Sequence, residues 1–346
     1  MIDFTYADYA WDQAAAVLAI DSPAGFTQKA AAWVKEAFEN LGFAARVTNK
    51  GGVFIDLGGR EDADALLLEA HVDTLGGMIC RIKGNGRLQL TKIGGMRAEN
   101  GEAENALVYT REGRRYEGTL QLIDASVHVN PDYKTARRDF DTTELVLDED
   151  IRSAEDVRVL GIEVGDFVCF EPRTRRTSSG YLKSRFLDDK LSVGILIGFA
   201  KYLADHRITL KRRTYIHITV YEEVGHGGAA PVPAGVTEAI SVDMGCVGEG
   251  LTCTEKQVSI CAKDSAGPYS YEVVNKLIAA AKQSGADYAV DVYPFYSSDV
   301  DVTLKAGFDI RHGLIGPGVY ASHGYERSHI DGVYNTLKLL CGYLDA

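Results

Sequence analysis

The sequence lacks the features that mark several large classes of protein. Its six cysteines form no Cys-x-x-Cys pair, and no uninterrupted apolar stretch reaches the roughly 18 residues of a membrane span. Residues 1–6 have neither the basic start nor the apolar run of a signal peptide. These absences predict a cytoplasmic chain with reduced thiols and no membrane span.

Basic residues are in the minority and are not gathered into one long segment. The chain has 37 lysines and arginines against 49 aspartates and glutamates, which gives a formal net charge of −12. Negative charge repels phosphate, so we expect neither nucleic acid nor anionic membrane as a partner. The length of 346 residues and the hydrophobic fraction of 46% allow a large core in one to three domains.

The first third of the sequence alternates helical and β-rich patterns. Apolar residues recur at helical spacing from Ser22 to Gly42. Two β-rich runs follow at 44–48 and 53–57, and the glycines between them predict a hairpin. The apolar block at 65–68 is typical of a strand buried on both faces.

Helical periodicity disappears between about residues 76 and 176. Short β-rich runs there are separated by glycine and charged turns, with one short helix predicted over 153–160 and an N-cap at Ser153. This pattern favours a small β-barrel or sandwich domain.

The α/β alternation resumes after residue 182. The predicted elements are helices at 190–204, 269–284 and 332–344 and strands at 214–221 and 239–243. The fold class is therefore α/β: residues 1–75 and 177–346 predict a discontinuous, mixed-sheet, helix-flanked domain. Residues 76–176 predict an inserted small β-barrel-like domain.

Acidic and histidine side chains gather where predicted strands end and where one helix begins. Hydrolytic metal sites use these residue types at strand ends, where loops converge on one point. The candidates are His71, Asp73, Asp188, Asp189, Glu222, Glu223, Asp243, His323 and His329.

Each motif also has a simpler interpretation. His71 and Asp73 point to the same side of an extended chain, so Asp73 could accept the second imidazole N–H, or both could be solvated. Asp188 could bridge two metals or cap a helix. Adjacent acids at Glu222 and Glu223, between an apolar strand and glycines, predict one metal ligand and one proton carrier rather than a surface turn.

The combination and order of these motifs resemble a known family. The matching segments are Asp21-Ser22-Pro23-Ala24-Gly25, His71-x-Asp73, Ile162-x-x-Gly165-Asp166, Leu187-Asp188-Asp189-Lys190, Glu222-Glu223-Val224-Gly225, Val242-Asp243 and His323. In this combination the chain resembles the tetrahedral (TET-type) di-metal aminopeptidases of peptidase family M42, clan MH. This family includes glutamyl and deblocking aminopeptidases.

The resemblance implies a role for each matching residue. His71 and Asp243 would hold one metal ion, Glu223 and His323 the other, with Asp188 bridging both, Glu222 as general base and Asp73 as the partner of His71. Zinc fits such a mixed ligand set, and so do cobalt and manganese. The resemblance also implies short peptide substrates and a homo-oligomer, most often a dodecamer built from dimers through the inserted domain.

Two segments depart from the family pattern. His323-Gly324-Tyr325-Glu326-Arg327 stands where the family often has His-Ser-Pro-x-Glu, which keeps His329 open as the last ligand. Residues 297–301 differ from the usual glycine-rich Thr-Asp-Ala near the substrate pocket, so we expect a different specificity.

Three other functions compete with an aminopeptidase. A related di-metal hydrolase would act on acylated amino acids, on C-termini or on a small peptide-like osmolyte, with a similar ligand set. A glycosidase needs two carboxylates and no metal, which leaves His71, Asp243 and His323 unexplained. A non-catalytic metal-binding scaffold has no need of the base at Glu222.

Overall fold

A computed structural model describes residues 2–346. The strands are β1 (Ala44–Val47), β2 (Val53–Gly58), β3 (Glu61–His71), β4 (Gly76–Ile82), β5 (Leu88–Ile93), β6 (Asn105–Tyr109), β7 (Arg115–Leu122), β8 (Thr143–Leu147), β9 (Phe167–Phe170), β10 (Arg175–Arg176), β11 (Tyr181–Ser184), β12 (Arg212–Thr219), β13 (Val236–Val242), β14 (Gly245–Val247), β15 (Val258–Lys263), β16 (Tyr288–Val292), β17 (Arg311–Tyr320) and β18 (Glu326–His329). The helices are α1 (Thr5–Leu18), α2 (Gln28–Asn40), α3 (Ala98–Gly101), α4 (Ala154–Val159), α5 (Leu187–His206), α6 (Tyr271–Ser284), α7 (Asp299–Lys305) and α8 (Ile330–Leu344).

The chain forms two compact units. One comprises Met1–Asp73 with Arg173–Ala346, and the other comprises Thr74–Pro172. The units divide a few residues before the domain limits predicted from the sequence, 75/76 and 176/177. The predicted fold class, a mixed α/β fold with a small barrel, is confirmed.

The larger unit is built on a 12-stranded mixed sheet. Its main path runs β1-β2-β12-β3-β13-β17-β18-β11-β10. Within this path, the four adjacent strands β12, β3, β13 and β17 run parallel to one another. Strand β3 is buried at every position from Ala65 to His71, so both of its faces are covered, as the apolar block at 65–68 predicts.

Two glycines in helix α5 allow close approach of helix α1. A Cβ atom added at Gly194 would lie 2.4 Å from the Ala10 carbonyl oxygen and 2.7 Å from the Ala14 Cβ. One added at Gly198 would lie 2.8 Å from the Ala10 Cβ. The absence of side chains at these two positions therefore sets the spacing between the helices.

We expect Gly194→Ala to lower the free energy of unfolding by about 1–3 kcal/mol, the usual cost of overpacking. The helix propensity gained from alanine is smaller than the clash with the Ala10 backbone. Gly248→Ala is the matched control, because a Cβ there meets nothing within 4 Å. Denaturant unfolding should show little change in the control. An equal loss in both variants would contradict the packing argument.

The smaller unit contains a closed six-stranded barrel, in the order β4-β5-β8-β7-β6-β9. Because the sheet closes on itself, its two end strands, β4 and β9, pair with each other, so that both edges are paired. Fully buried residues on its strands include Leu88, Val108, Leu120, Leu145 and Val168. Helix α4 follows Ser153, whose hydroxyl accepts the Asp156 N–H while the Asp156 carboxylate accepts the Ser153 N–H.

One predicted helix start lies six residues away from the observed one. The helix predicted from Ser22 begins only at Gln28. Helix α5 is assigned from Leu187, but Asp188 (φ −76°, ψ 101°) and Asp189 (φ −120°, ψ 22°) have non-helical backbones. Its regular part therefore begins at Lys190, as the sequence predicts. Among residues 2–346, no helix is long and apolar enough to cross a membrane.

Candidate functional site

Three parallel strands bring candidate residues to one edge of the sheet. His71 is the last residue of β3, Glu222 and Glu223 follow β12, and Asp243 comes directly after β13. The strand register pairs Thr219 of β12 with His71. Since the carboxyl ends of parallel strands lie together, their loops converge here, the usual place for a ligand site in an α/β sheet.

His71 is buried among these groups, with 1% of its surface exposed. Its Nε2 lies 3.2 Å from Asp188 Oδ1 and 3.6 Å from Glu222 Oε2. Its Nδ1 lies 3.0 Å from the carbonyl oxygen of Asp73. That contact fixes the orientation of the ring and directs Nε2 towards the acids.

Asp188 faces two histidines from distant parts of the chain. Its Oδ1 lies near His71, as above, while its Oδ2 lies 3.5 Å from His323 Nε2 and accepts a hydrogen bond from Ser322 Oγ at 3.1 Å. His323 Nε2 is also 3.5 Å from Glu223 Oε2. One carboxylate thus connects the β3 end with the loop after β17, the geometry that a bridging ligand needs.

Two overlapping sets of side chains could hold a metal ion. The ligand atoms of His71, Asp188 and Glu223 lie within 4.8 Å of one another, and so do those of His71, Asp189 and Asp243. Asp189 is buried, and its Oδ2 accepts the His71 backbone N–H at 3.2 Å. The predicted ligand set omits Asp189, although its place in an Asp-Asp pair was a signal for it.

Asp73 holds the turn that carries the two glutamates. Its Oδ1 accepts the Glu222 N–H at 3.1 Å, and its Oδ2 accepts the Glu223 N–H at 3.2 Å. The carboxylate is 3.6 Å from His71 Nδ1, which is beyond hydrogen-bond distance. The predicted contact with the second imidazole nitrogen is therefore made by the Asp73 carbonyl, and the carboxylate orients the turn.

Glu326 is a buried carboxylate that the predicted site omits. Its Oε1 accepts the His323 N–H at 2.9 Å, and its Oε2 accepts the Asp188 N–H at 3.0 Å. The only signal in the sequence was its position three residues after His323. The structure thus adds a third acid that binds the backbone of candidate ligands.

Three loops of the site contain non-glycine residues with left-handed backbones. The φ angle is 66° at Phe186, 74° at Tyr221 and 65° at His323. Such conformations cost roughly 1–3 kcal/mol each and persist where the surroundings enforce them. Asp73 and Glu326 supply part of that enforcement, because they bind backbone N–H groups in these same loops.

Most acids of the metal-free site favour their neutral forms. Burial, followed by nearby charges, raises the pKa of Asp73 to about 6, that of Asp243 to about 7 and that of Glu326 to about 8. Burial also raises the pKa values of Glu222 and Glu223 well above their usual range. A cation among these groups would reverse the trend by stabilising their charged forms.

Asp188 and the two histidines form the charged centre of the metal-free site. Burial raises the pKa of Asp188, but hydrogen bonds from His323 and His71 outweigh it and hold that pKa far below its usual value. Burial lowers the pKa of both imidazoles, yet the contact with Asp188 and the surrounding acids outweigh it. The pKa of His323 rises to about 9, and that of His71 rises well above 6.5.

These residues fit a divalent metal ion. Within the described chain, Glu223 Oε1 is buried without a hydrogen-bond partner. A buried carboxyl oxygen with no partner is costly, and a bound cation would remove that cost. Imidazole and carboxylate ligands suit zinc, cobalt and manganese.

We expect the metal-free protein to lose stability as the pH rises from about 4 to about 9. The pKa is raised in Asp243 (about 7 against 3.8), Glu326 (about 8 against 4.5) and His323 (about 9 against 6.5). The folded state therefore binds more protons than the unfolded chain, and its stability falls as pH rises through these values.

Thermal unfolding of chelator-treated protein across this pH range measures the effect. Metal-loaded protein should show a smaller fall, because bound cations stabilise the deprotonated acids. A Tm of the metal-free protein that rises with pH would contradict the assigned pKa directions.

The other histidine of the same segment has a different position. His329 Nδ1 accepts the Asp331 N–H at 3.1 Å, and its Nε2 lies 2.9 Å from the Ser179 carbonyl oxygen. His329 therefore caps helix α8. Of the two histidines considered from the sequence, His323 lies beside Asp188 and Glu223.

Comparison with known proteins gives close sequence relatives. The profile of the M42 glutamyl aminopeptidase family matches residues 51–339. A protein of Bacillus subtilis (strain 168), named "Putative aminopeptidase YhfE", is 40% identical over 330 residues, which cover 95% of each chain.

Solved structures of aminopeptidases share the fold. Aminopeptidase APDkam598 from Desulfurococcus kamchatkensis has a TM-score of 0.88 at 20% identity, covering 99% of this chain and 96% of its own. The Pyrococcus horikoshii TET1 peptidase has a TM-score of 0.85 at 21% identity, covering 97% and 99%. With the profile match over most of its length, the chain belongs to the M42 glutamyl aminopeptidase family and is an aminopeptidase, a metal-dependent hydrolase of peptide bonds.

Proposed function

We propose that the chain uses two divalent ions to remove amino acids from the N-termini of short peptides in the cytoplasm. The observation that carries this proposal is the position of Glu222. Its carboxylate is 3.6 Å from His71 Nε2, beside the convergent ligand atoms of His71, Asp188 and Glu223. A partly buried acid next to a proposed metal-ligand set, with its backbone held by Asp73, suits a general base.

The proposed ligands divide into two sets. His71 and Asp243 hold one ion, Glu223 and His323 hold the other, and Asp188 binds both. Zinc is the proposed metal, and cobalt and manganese suit the same donors. When bound, such ions polarise the scissile carbonyl and make water more acidic.

Glu222 moves the proton in the proposed reaction. As water attacks the scissile carbonyl carbon, the Glu222 carboxylate accepts a proton from it. When the C–N bond breaks, the same carboxyl group donates a proton to the leaving amine. Asp73 keeps the Glu222-Glu223 turn in place throughout, because each of its carboxylate oxygens accepts one N–H of that turn.

A substrate panel tests the proposal. Metal-free protein would be supplied with zinc, cobalt or manganese and assayed on aminoacyl, N-acylated and C-terminal reporter substrates. We expect two ions per chain by elemental analysis and cleavage only of substrates with a free α-amine. Preference for N-acylated substrates or small peptide-like compounds would favour the related deacylase. Bound metal without any turnover would favour a scaffold.

We also propose that the chain forms a homo-oligomer of twelve subunits, paired through the smaller unit. The Pyrococcus horikoshii TET1 peptidase, which shares the fold, can assemble into a tetrahedron or a large octahedral shell. Light scattering should give a mass about twelve times the 37.6 kDa of the chain. The alternative is a dimer, since twofold assemblies are the commonest. A fully active monomer at micromolar concentration would refute a role for the smaller unit in assembly.

A further inference from the structure

Glu326 connects two segments that are far apart in the sequence. It is the first residue of β18 and is paired in register with Ser184, the last residue of β11. The chain leaving β11 reaches Asp188 four residues later, and the loop before β18 carries His323. The side chain of Glu326 thus begins on one strand and reaches the backbone of both loops.

Each oxygen of the Glu326 carboxylate accepts a backbone N–H from one of these loops. Oε1 accepts the N–H of His323 at 2.9 Å, and Oε2 accepts that of Asp188 at 3.0 Å. The side chains of the same two residues meet at 3.5 Å, between Asp188 Oδ2 and His323 Nε2. The carboxylate therefore joins the two backbones at one side while their ligand atoms converge at the other.

We propose that Glu326 is a positioning residue that sets the separation of Asp188 and His323 and thereby the affinity of the metal pair. This inference rests on the proposed two-metal site. Glu326 makes no contact with substrate in the proposed reaction, and it acts only through the two ligands whose N–H groups it binds.

The arrangement requires a carboxylate. The two N–H groups donate to different oxygens of Glu326, and only an acid side chain offers two acceptor oxygens. Glutamine offers one oxygen and one NH2 group, so one backbone N–H would face another donor. The left-handed backbone of His323, with φ at 65°, makes this loop especially dependent on the contact.

Metal titration of the full-length protein tests the proposal. Chelator-treated wild type and Glu326→Gln would be titrated with zinc by calorimetry. We expect the variant to bind zinc about 10–100-fold more weakly, the usual cost of losing a group that orients metal ligands. Excess zinc should restore most of kcat with little change in KM, because no substrate contact is lost.

Asp291→Asn is the matched control. Asp291 is also buried and accepts backbone N–H groups, from Thr252 at 2.8 Å and from Cys253 at 2.9 Å, within the same unit. It contacts none of the proposed ligands. We expect a lower Tm in this variant but wild-type zinc affinity.

The outcomes separate the two proposals. Zinc affinity of Glu326→Gln equal to that of wild type, or reduced no more than in Asp291→Asn, would overturn the positioning role. Wild-type protein that binds no zinc would instead overturn the two-metal function. If Glu326→Gln does not fold, Glu326→Asp replaces it: its carboxylate lies one methylene group farther from both N–H groups, and the same direction of change is expected.

Discussion

Glutamine in place of Glu222 is expected to lower kcat by about 10²–10⁴-fold, the usual contribution of a general base, while metal remains bound. The substitution keeps the size of the side chain and the N–H that Asp73 accepts at 3.1 Å. The turn should therefore stay in place, and the change removes the group that takes the proton. Steady-state kinetics and elemental analysis of the same preparation measure both effects.

Glu223→Gln is the control one residue away. Glu223 Oε2 lies 3.5 Å from His323 Nε2, and its Oε1 is buried without a hydrogen-bond partner in the described part of the chain. We therefore expect this variant to lose metal as well as activity, and added metal to restore part of its turnover. Near-normal turnover of Glu222→Gln would reject Glu222 as the base.

The comparison of the two variants separates proton transfer from metal binding. Both residues lie on the same 3₁₀ turn, Glu222–Val224, and both have backbone N–H groups bound to Asp73. A general disturbance of the turn would affect the two variants alike. Different metal contents at similar activity losses would show that the adjacent acids have different roles.

Local patterns predicted the residues that end strands. His71 closes a strand whose apolar block at 65–68 is buried on both faces, and Asp243 directly follows β13. In a parallel sheet, such positions share one edge whatever the separation in sequence. The sequence was therefore enough to predict that these side chains lie at the same edge of the sheet.

The contacts that hold the proposed ligands and the proposed base in place could not be predicted in this way. Asp73 binds the N–H groups of Glu222 and Glu223, which lie 149 and 150 residues away, and Glu326 binds that of Asp188, 138 residues away. Each is a single hydrogen-bonded pair between loops. Periodicity and capping patterns report only on neighbours in sequence, so they carry no information about such pairs.

Helix α1 is not among the predicted helices, although the local sequence carries signals for it. Phe4 makes no side-chain capping bond, but Oδ1 of the preceding Asp3 accepts the Thr5 N–H at 2.8 Å, so a start signal is present. The helix is held by packing against α5, where Gly194 admits the Ala10 backbone. The residues that α1 buries also recur at helical spacing, so periodicity was a signal for this helix: Ala7, Ala10, Trp11, Ala14, Val17 and Leu18.

Removal of the Asp188 carboxylate, the proposed bridge, is expected to have the broadest effect on the site. Asp188 Oδ1 lies 3.2 Å from His71 Nε2, and Oδ2 lies 3.5 Å from His323 Nε2, so each oxygen faces a different proposed ligand set. Asparagine offers one oxygen and one NH2 group. The asparagine oxygen can therefore bind at most one of the two proposed ions, and the NH2 group points towards the site of the other.

We expect Asp188→Asn to lower metal content and to reduce kcat/KM by at least about 10³-fold. That factor corresponds to a loss of roughly 4 kcal/mol of transition-state stabilisation. Bound metal ions stabilise the charge of a transition state by several kcal/mol, so a loss of this size is expected. The Asp188 N–H and its bond to Glu326 are unaffected by the change, so the fold should be retained.

Chelation of the wild type provides the comparison. Metal-free wild type should lose activity to a similar extent and regain it when zinc, cobalt or manganese is added, whereas Asp188→Asn should not recover at any metal concentration. A variant that recovers fully would show that Asp188 strengthens binding without being needed for the reaction. A variant that retains two ions and normal turnover would exclude Asp188 as the bridge. The second set, His71, Asp189 and Asp243, would then be the next ligands to test, because their ligand atoms also lie within 4.8 Å of one another.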